Sequence, residues 1–95
     1  MQRGVRIKMS KEVNLVITDE IGLHVRTASK FAGVANEFVS DIKVTFNDKT
    51  VNGKSMLAVM SLGVKRDDEI IVTASGEDEG AAVFKLEELV KNKFV

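Results

Sequence analysis

The sequence predicts an α+β domain: an open-faced sandwich, ordered βαββαβα, in which a four-stranded antiparallel sheet is covered on one face by three helices. Three observations carry that prediction. Four short stretches alternate apolar and polar residues at the period of a strand. Three other stretches repeat apolar residues at helical spacing. Gly, Asn and Asp punctuate the joins between them. The chain is 95 residues long, which fits one domain and leaves no room for a second.

The elements follow in order. Val13, Leu15 and Ile17 alternate with Asn14, Val16 and Thr18, giving a first strand with one buried face. Asp19-Glu20-Ile21-Gly22 breaks the pattern as a loop. Over residues 27–39 the apolar positions Ala28, Phe31, Ala32, Ala35, Phe38 and Val39 fall on one face of a helix. Ile42, Val44 and Phe46 form a second strand, and Asn47-Asp48 turns it into a third, Lys49-Thr50-Val51, as a two-residue hairpin. Asn52-Gly53 signals another turn, and a short helix over residues 55–62 is stopped by Gly63. Residues 69–75 read as the fourth strand, with Ile70, Val72 and Ala74 on one face. Beyond Gly76 the last helix spans 77 to about 93, with Ala82, Val83, Leu86, Leu89 and Val90 inward. Its acidic start (Glu77, Asp78, Glu79) and its basic end (Lys91, Lys93) suit the helix dipole, so the acidic trio needs no metal to explain it.

Composition narrows the function. Hydrophobic residues make up 44% and charged residues 29%, the balance of a soluble folded domain. Fourteen basic side chains offset fourteen acidic ones, which argues against a nucleic-acid binder. With no cysteine there is neither a disulfide framework nor a thiolate metal site, and a cytoplasmic location is the default expectation. No apolar run is long enough to span a bilayer, so no membrane insertion is expected. The basic stretch Arg3-Gly4-Val5-Arg6-Ile7-Lys8 lacks the apolar segment of a signal peptide. Residues 1–10 are read as a loose extension and 11–95 as the domain, with Met9 a second candidate start. No P-loop, HExxH or EF-hand pattern is present, and no cofactor or metal is expected.

The informative segment is Gly22-Leu23-His24-Val25-Arg26-Thr27-Ala28. It places the only histidine of the chain in a loop just before a helix. The first turn of a helix offers unpaired N–H groups and the positive end of a dipole, a ready cradle for phosphate. Arg26 adds a charged donor, and a neutral imidazole is a competent nucleophile near neutral pH. Spacing alone leaves the plainer reading open: an exposed loop histidine beside a solvated arginine. Ser55, at the start of the short helix, reads equally as an N-cap. Met56, Leu57 and Met60, at helical spacing, read equally as core packing.

The first of these segments resembles the active-site signature of the HPr family of histidine phosphocarriers, Gly-(Leu/Ile)-His-Ala-Arg-Pro-Ala. Gly22, Leu23, His24, Arg26 and Ala28 match; Val25 replaces the alanine and Thr27 the proline. Proline at a helix start presets φ and gives up an N–H that has no partner. Threonine keeps the N–H and brings a hydroxyl able to cap, so the helix is expected to form while the N–H geometry around a phosphate changes. The run from Asn52 to Gly63 resembles the regulatory-serine region of the family, and the likeness covers about residues 12–93 in order and spacing.

The resemblance implies a carrier without turnover of its own. His24 would accept a phosphoryl group from Enzyme I, itself charged by phosphoenolpyruvate, and pass it to sugar-specific IIA components, with Arg26 assisting. It also implies that Ser55 is phosphorylated by a dedicated serine kinase to give a form that binds a transcriptional regulator. Met56, Leu57 and Met60 would lie on the partner surface, where exposed methionines adapt to several partners. A monomer is expected. Two other readings stand beside this one: a regulatory paralogue that does not feed sugar transport, and a small α+β binding module. An RNA-binding version of the module needs exposed aromatics on the sheet, and most of the five phenylalanines fall at core-periodic positions.

Overall fold

A computed structural model of the chain describes residues 10–95. All but Ser10 of the expected extension therefore lies outside the described residues. The elements are β1 (Lys11–Val16), α1 (Val25–Ala35), β2 (Asp41–Phe46), β3 (Lys49–Asn52), α2 (Met56–Met60), β4 (Glu69–Ser75) and α3 (Glu79–Lys91). They form one sheet in the order β1-β4-β2-β3, with every neighbouring pair antiparallel.

Register explains the core. Leu15 lies opposite Ile70, Val44 opposite Val72, and Ile42 opposite Ala74. All six are buried, because partners across an antiparallel ladder point to the same face. The helices supply the other half: Ala28, Phe31 and Ala35 from α1, Val59 from α2, and Ala82, Leu86 and Val90 from α3. The opposite face of the sheet carries Glu12, Asn14 and Lys43, all exposed, and the Thr45 and Thr50 hydroxyls meet there at 2.8 Å. The hairpin closes with Phe46 opposite Lys49, and Asn47 takes the left-handed conformation (φ 56°) that such a tight turn needs.

Helix ends depart from the periodicity. The apolar pattern predicts a first helix reaching Val39, yet α1 stops at Ala35 and Val39 is 74% exposed. Groups outside the helix draw the chain off its axis. Asn36 turns its side-chain amide back to the Ala32 carbonyl and across to that of Lys54, and the Lys54 ammonium donates to the Phe38 carbonyl at 2.7 Å. Asp78 then accepts from the backbone N–H groups of Val39 and Ser40 and from the Ser40 hydroxyl.

Those bonds also shorten α3, which the sequence starts at residue 77 and the structure at Glu79. Asp78 is thus more than a dipole partner, and Glu79 folds back to accept from the Gly76 N–H at 3.0 Å. At the far end Lys93 and Phe94 turn left-handed (φ 55° and 64°), and Phe94 enters the core fully buried. Periodicity could not announce Phe94, because it lies beyond the helix that such a pattern describes.

Candidate functional site

The loop from β1 to α1 is fixed from below by the segment 64–68. The Ile17 N–H donates to the Asp68 carbonyl, the Asp67 N–H to the Ile17 carbonyl, and the Leu23 N–H to the Val64 carbonyl. Gly22 sits at φ +89°, and a Cβ there would collide with the Val64 carbonyl, so both conformation and space require glycine. Leu23 is buried, which leaves His24 at the rim.

His24 is the N-cap of α1 in extended conformation (φ −119°, ψ −168°), and its carbonyl accepts from the Ala28 N–H at 2.7 Å. Thr27 is fully buried. Its hydroxyl accepts from the His24 N–H at 3.0 Å and donates to the Gly22 carbonyl at 2.7 Å. The helix forms as expected with threonine in the signature. The hydroxyl caps as expected, taking the N-cap N–H as one half of a capping box, and it also ties the incoming loop to the helix.

The imidazole is partly exposed, but its Nε2 is buried and has no hydrogen-bond partner. The nearest charge to it is Asp19 Oδ1 at 3.7 Å. Asp19 also accepts from the Ile21 N–H at 3.0 Å, and its other oxygen takes a 2.9 Å bond from Arg26 Nη2. The Ile21 hydrogen bond holds the Asp19 carboxyl below its ordinary value, helped by the Arg26 hydrogen bond and charge and by the His24 ring, while burial opposes them. Arg26 thus shares the Asp19 carboxylate with the histidine, its half-exposed guanidinium engaged there.

Asp19 is the residue that sequence reasoning passed over, treating 19–22 only as a loop. The available signal was an Asp two residues before a backbone N–H in a glycine turn, the pattern in which an Asx carboxylate closes on its own backbone.

Ser55 caps α2, its Oγ accepting from the Ala58 N–H at 3.2 Å, and its side chain is partly exposed. Met56 and Met60 are half-buried against the core and Leu57 is 71% exposed. Helices α1 and α2 pack together, and Asn36 at the end of α1 bonds the Lys54 carbonyl just before α2. Ile21 and Val25, flanking His24 in sequence, are also exposed. Among the described residues no cluster of three or more His, Cys, Asp or Glu side chains could hold a metal ion, and no helix is long and apolar enough to cross a membrane.

Residues 11–92 match the family model described as the PTS HPr component phosphorylation site. The chain belongs to the HPr family. It is 42% identical over 69 residues to the phosphocarrier protein HPr of Buchnera aphidicola, an alignment covering 73% of this chain and 81% of that one. The fold superposes on a crystal structure of HPr from Thermoanaerobacter tengcongensis with a TM-score of 0.86 and 40% identity, over 88% of this chain and 94% of the other. A Bacillus subtilis relative, the catabolite repression protein Crh, solved as a dimer with a swapped domain, matches with a TM-score of 0.71 and 33% identity over 100% and 98% of the two chains. The open-faced sandwich expected from the sequence is the fold of the family.

Proposed function

We propose that this chain is a phosphocarrier of the sugar phosphotransferase system. His24 takes a phosphoryl group from Enzyme I, charged by phosphoenolpyruvate, and gives it to IIA components. The observation that carries the proposal is the placement of the chain's only histidine as N-cap of α1, with one ring nitrogen buried beside Asp19 and Arg26 bound to that same carboxylate. Because Nε2 is shielded and faces a carboxylate that would repel a phosphate, the proposed acceptor is Nδ1. The first-turn N–H groups of α1 and the Arg26 guanidinium supply the positive field that a phosphoryl dianion needs. Arg26 exchanges its Asp19 partner for the phosphoryl oxygens. The protein supplies nucleophile and cradle, and the partner enzymes supply most of the catalysis.

Leu57, with the exposed parts of Met56 and Met60, forms the apolar part of the docking surface for Enzyme I and IIA components. Ser55 is a regulatory phosphorylation site for a serine kinase, and its modified form is a partner for a transcriptional regulator. The protein works as a monomer in the cytoplasm. The test is incubation with Enzyme I and labelled phosphoenolpyruvate: the label should be acid-labile and base-stable, and His24→Ala should abolish it. Undiminished labelling of that variant would refute the proposal.

The likeness to Crh favours a second reading, in which regulation through Ser55 dominates and transport is not served. The presence of His24 in a complete cradle weighs toward transfer. A genome encoding a full set of sugar permease components would decide for transport, and their absence for regulation.

A further inference from the structure

A neutral imidazole has one proton for two nitrogens, and the one without it is the nucleophile. In His24 the Thr27 N–H faces the side chain from the first turn of α1, and the surroundings of Nε2 act on the other nitrogen. Nε2 is buried without a hydrogen-bond partner, and Asp19 Oδ1 stands 3.7 Å away. A carboxylate only accepts. A bare lone pair on Nε2 would set two electron-rich atoms against each other, whereas an N–H there points a donor toward an acceptor. The separation exceeds hydrogen-bond length, as is common for such pairs before the reacting group binds. Asp19 is not free to turn away, because the Ile21 N–H fixes one oxygen and Arg26 the other.

We infer that Asp19 is a positioning residue for phosphoryl transfer: it holds the His24 proton on Nε2, so that the Nδ1 lone pair is the nucleophile, and it stabilises the cationic ring that transfer creates. The inference rests on His24 being the phosphoryl acceptor. In the step itself the Nδ1 lone pair forms the new N–P bond. With Enzyme I as a phosphohistidine donor, the N–P bond to its histidine breaks, and the electron pair returns to that ring. Nε2 keeps its proton, so the His24 ring becomes positive next to the Asp19 carboxylate, the arrangement in which a charge-assisted hydrogen bond is strongest. The two carboxylate oxygens divide the work. Oδ1 stays with the ring, while Oδ2 releases Arg26 to the phosphoryl group.

The test is nitrogen-15 NMR of the ring nitrogens in the full chain, read without any phosphoryl donor, in the native protein, Asp19→Asn and Arg26→Ala. The native ring should carry its proton on Nε2. A side-chain amide can donate as well as accept, so Asp19→Asn should move a large share of the proton to Nδ1, while Arg26→Ala should keep the native pattern. Transfer from Enzyme I to Asp19→Asn should be about fivefold slower, the upper end for one solvent-exposed ion pair. That slowing should persist when both compared proteins carry Arg26→Ala. A native ring protonated on Nδ1, or native ring shifts or transfer rate in Asp19→Asn, would overturn the inference even if that variant folded poorly in other respects. Failure of His24 to accept label in the native protein would instead refute the carrier reading.

Discussion

Thr27 uses its one hydroxyl twice, accepting from His24 and donating to Gly22 inside a fully buried pocket. Thr27→Val keeps the shape and leaves both backbone groups unpaired. We expect a loss of about 1–3 kcal/mol, and a Tm lower by about 4–8 °C for each kcal/mol, measured by thermal unfolding. Arg26 behaves differently. Its side chain is half exposed and its single ion pair lies at the surface, so Arg26→Ala should change stability by less than about 1 kcal/mol while slowing transfer from Enzyme I. A variant that melted much lower yet transferred normally would make Arg26 structural.

The acid limb of the stability curve also belongs to single residues. The Ser40 hydroxyl, with the Val39 and Ser40 N–H groups, holds Asp78 below its ordinary value of 3.8, and Asp19 is lowered as well. A carboxylate lowered in the folded state binds fewer protons there than in the unfolded chain. Its contribution is complete above 3.8 and fades as pH falls through the lowered value. Asp78→Asn should therefore reduce stability at neutral pH and flatten the acid decline. Urea midpoints measured across that range check both.

At the level of the element, α2 is five residues long and cannot rely on its own hydrogen bonds. The Ser55 cap adds to the packing of Val59, Met56 and Met60 that holds it. Ser55→Ala should cost about 1 kcal/mol and transfer nearly normally. Ser55→Asp should keep the cap, since an acidic residue suits that end of a helix, and should weaken Enzyme I binding in titration through charge beside the exposed Leu57. The elements also show what was legible beforehand. β4 begins and ends at the expected residues and the Asn47-Asp48 hairpin lies where its turn chemistry placed it, because period two and two-residue turns are local properties. The ends of α1 and α3 were not legible. Asp78 and Lys54 set them from 38 and 16 residues away, and no window along the chain contains both partners. The histidine, its cap position and the nearby arginine could be read from one short segment. The carboxylate behind them showed only as a possible Asx turn, and its reach to the ring required the fold.

For the molecule as a whole, α1, which His24 caps, packs against α2, which carries the exposed Leu57. Chemical-shift mapping with Enzyme I or a IIA component should move the amides of Leu57, Met56 and Met60 along with those around His24. An undisturbed α2 would exclude it from docking.

The strand order has a further consequence during synthesis. β4 lies between β1 and β2, yet it is made after both. Until residue 69 has left the ribosome, β1 has no partner at all, and the hairpin of β2 and β3 is the only pairing the sheet can make. The segment 64–68 that fixes the Ile17 and Leu23 backbone arrives at almost the same moment. A nascent chain can therefore contain His24, Arg26 and Asp19 for most of its translation without the site they form. The cradle appears late and nearly at once, when the sheet closes across its centre, so a half-made chain lacks the site that the proposed transfer would use.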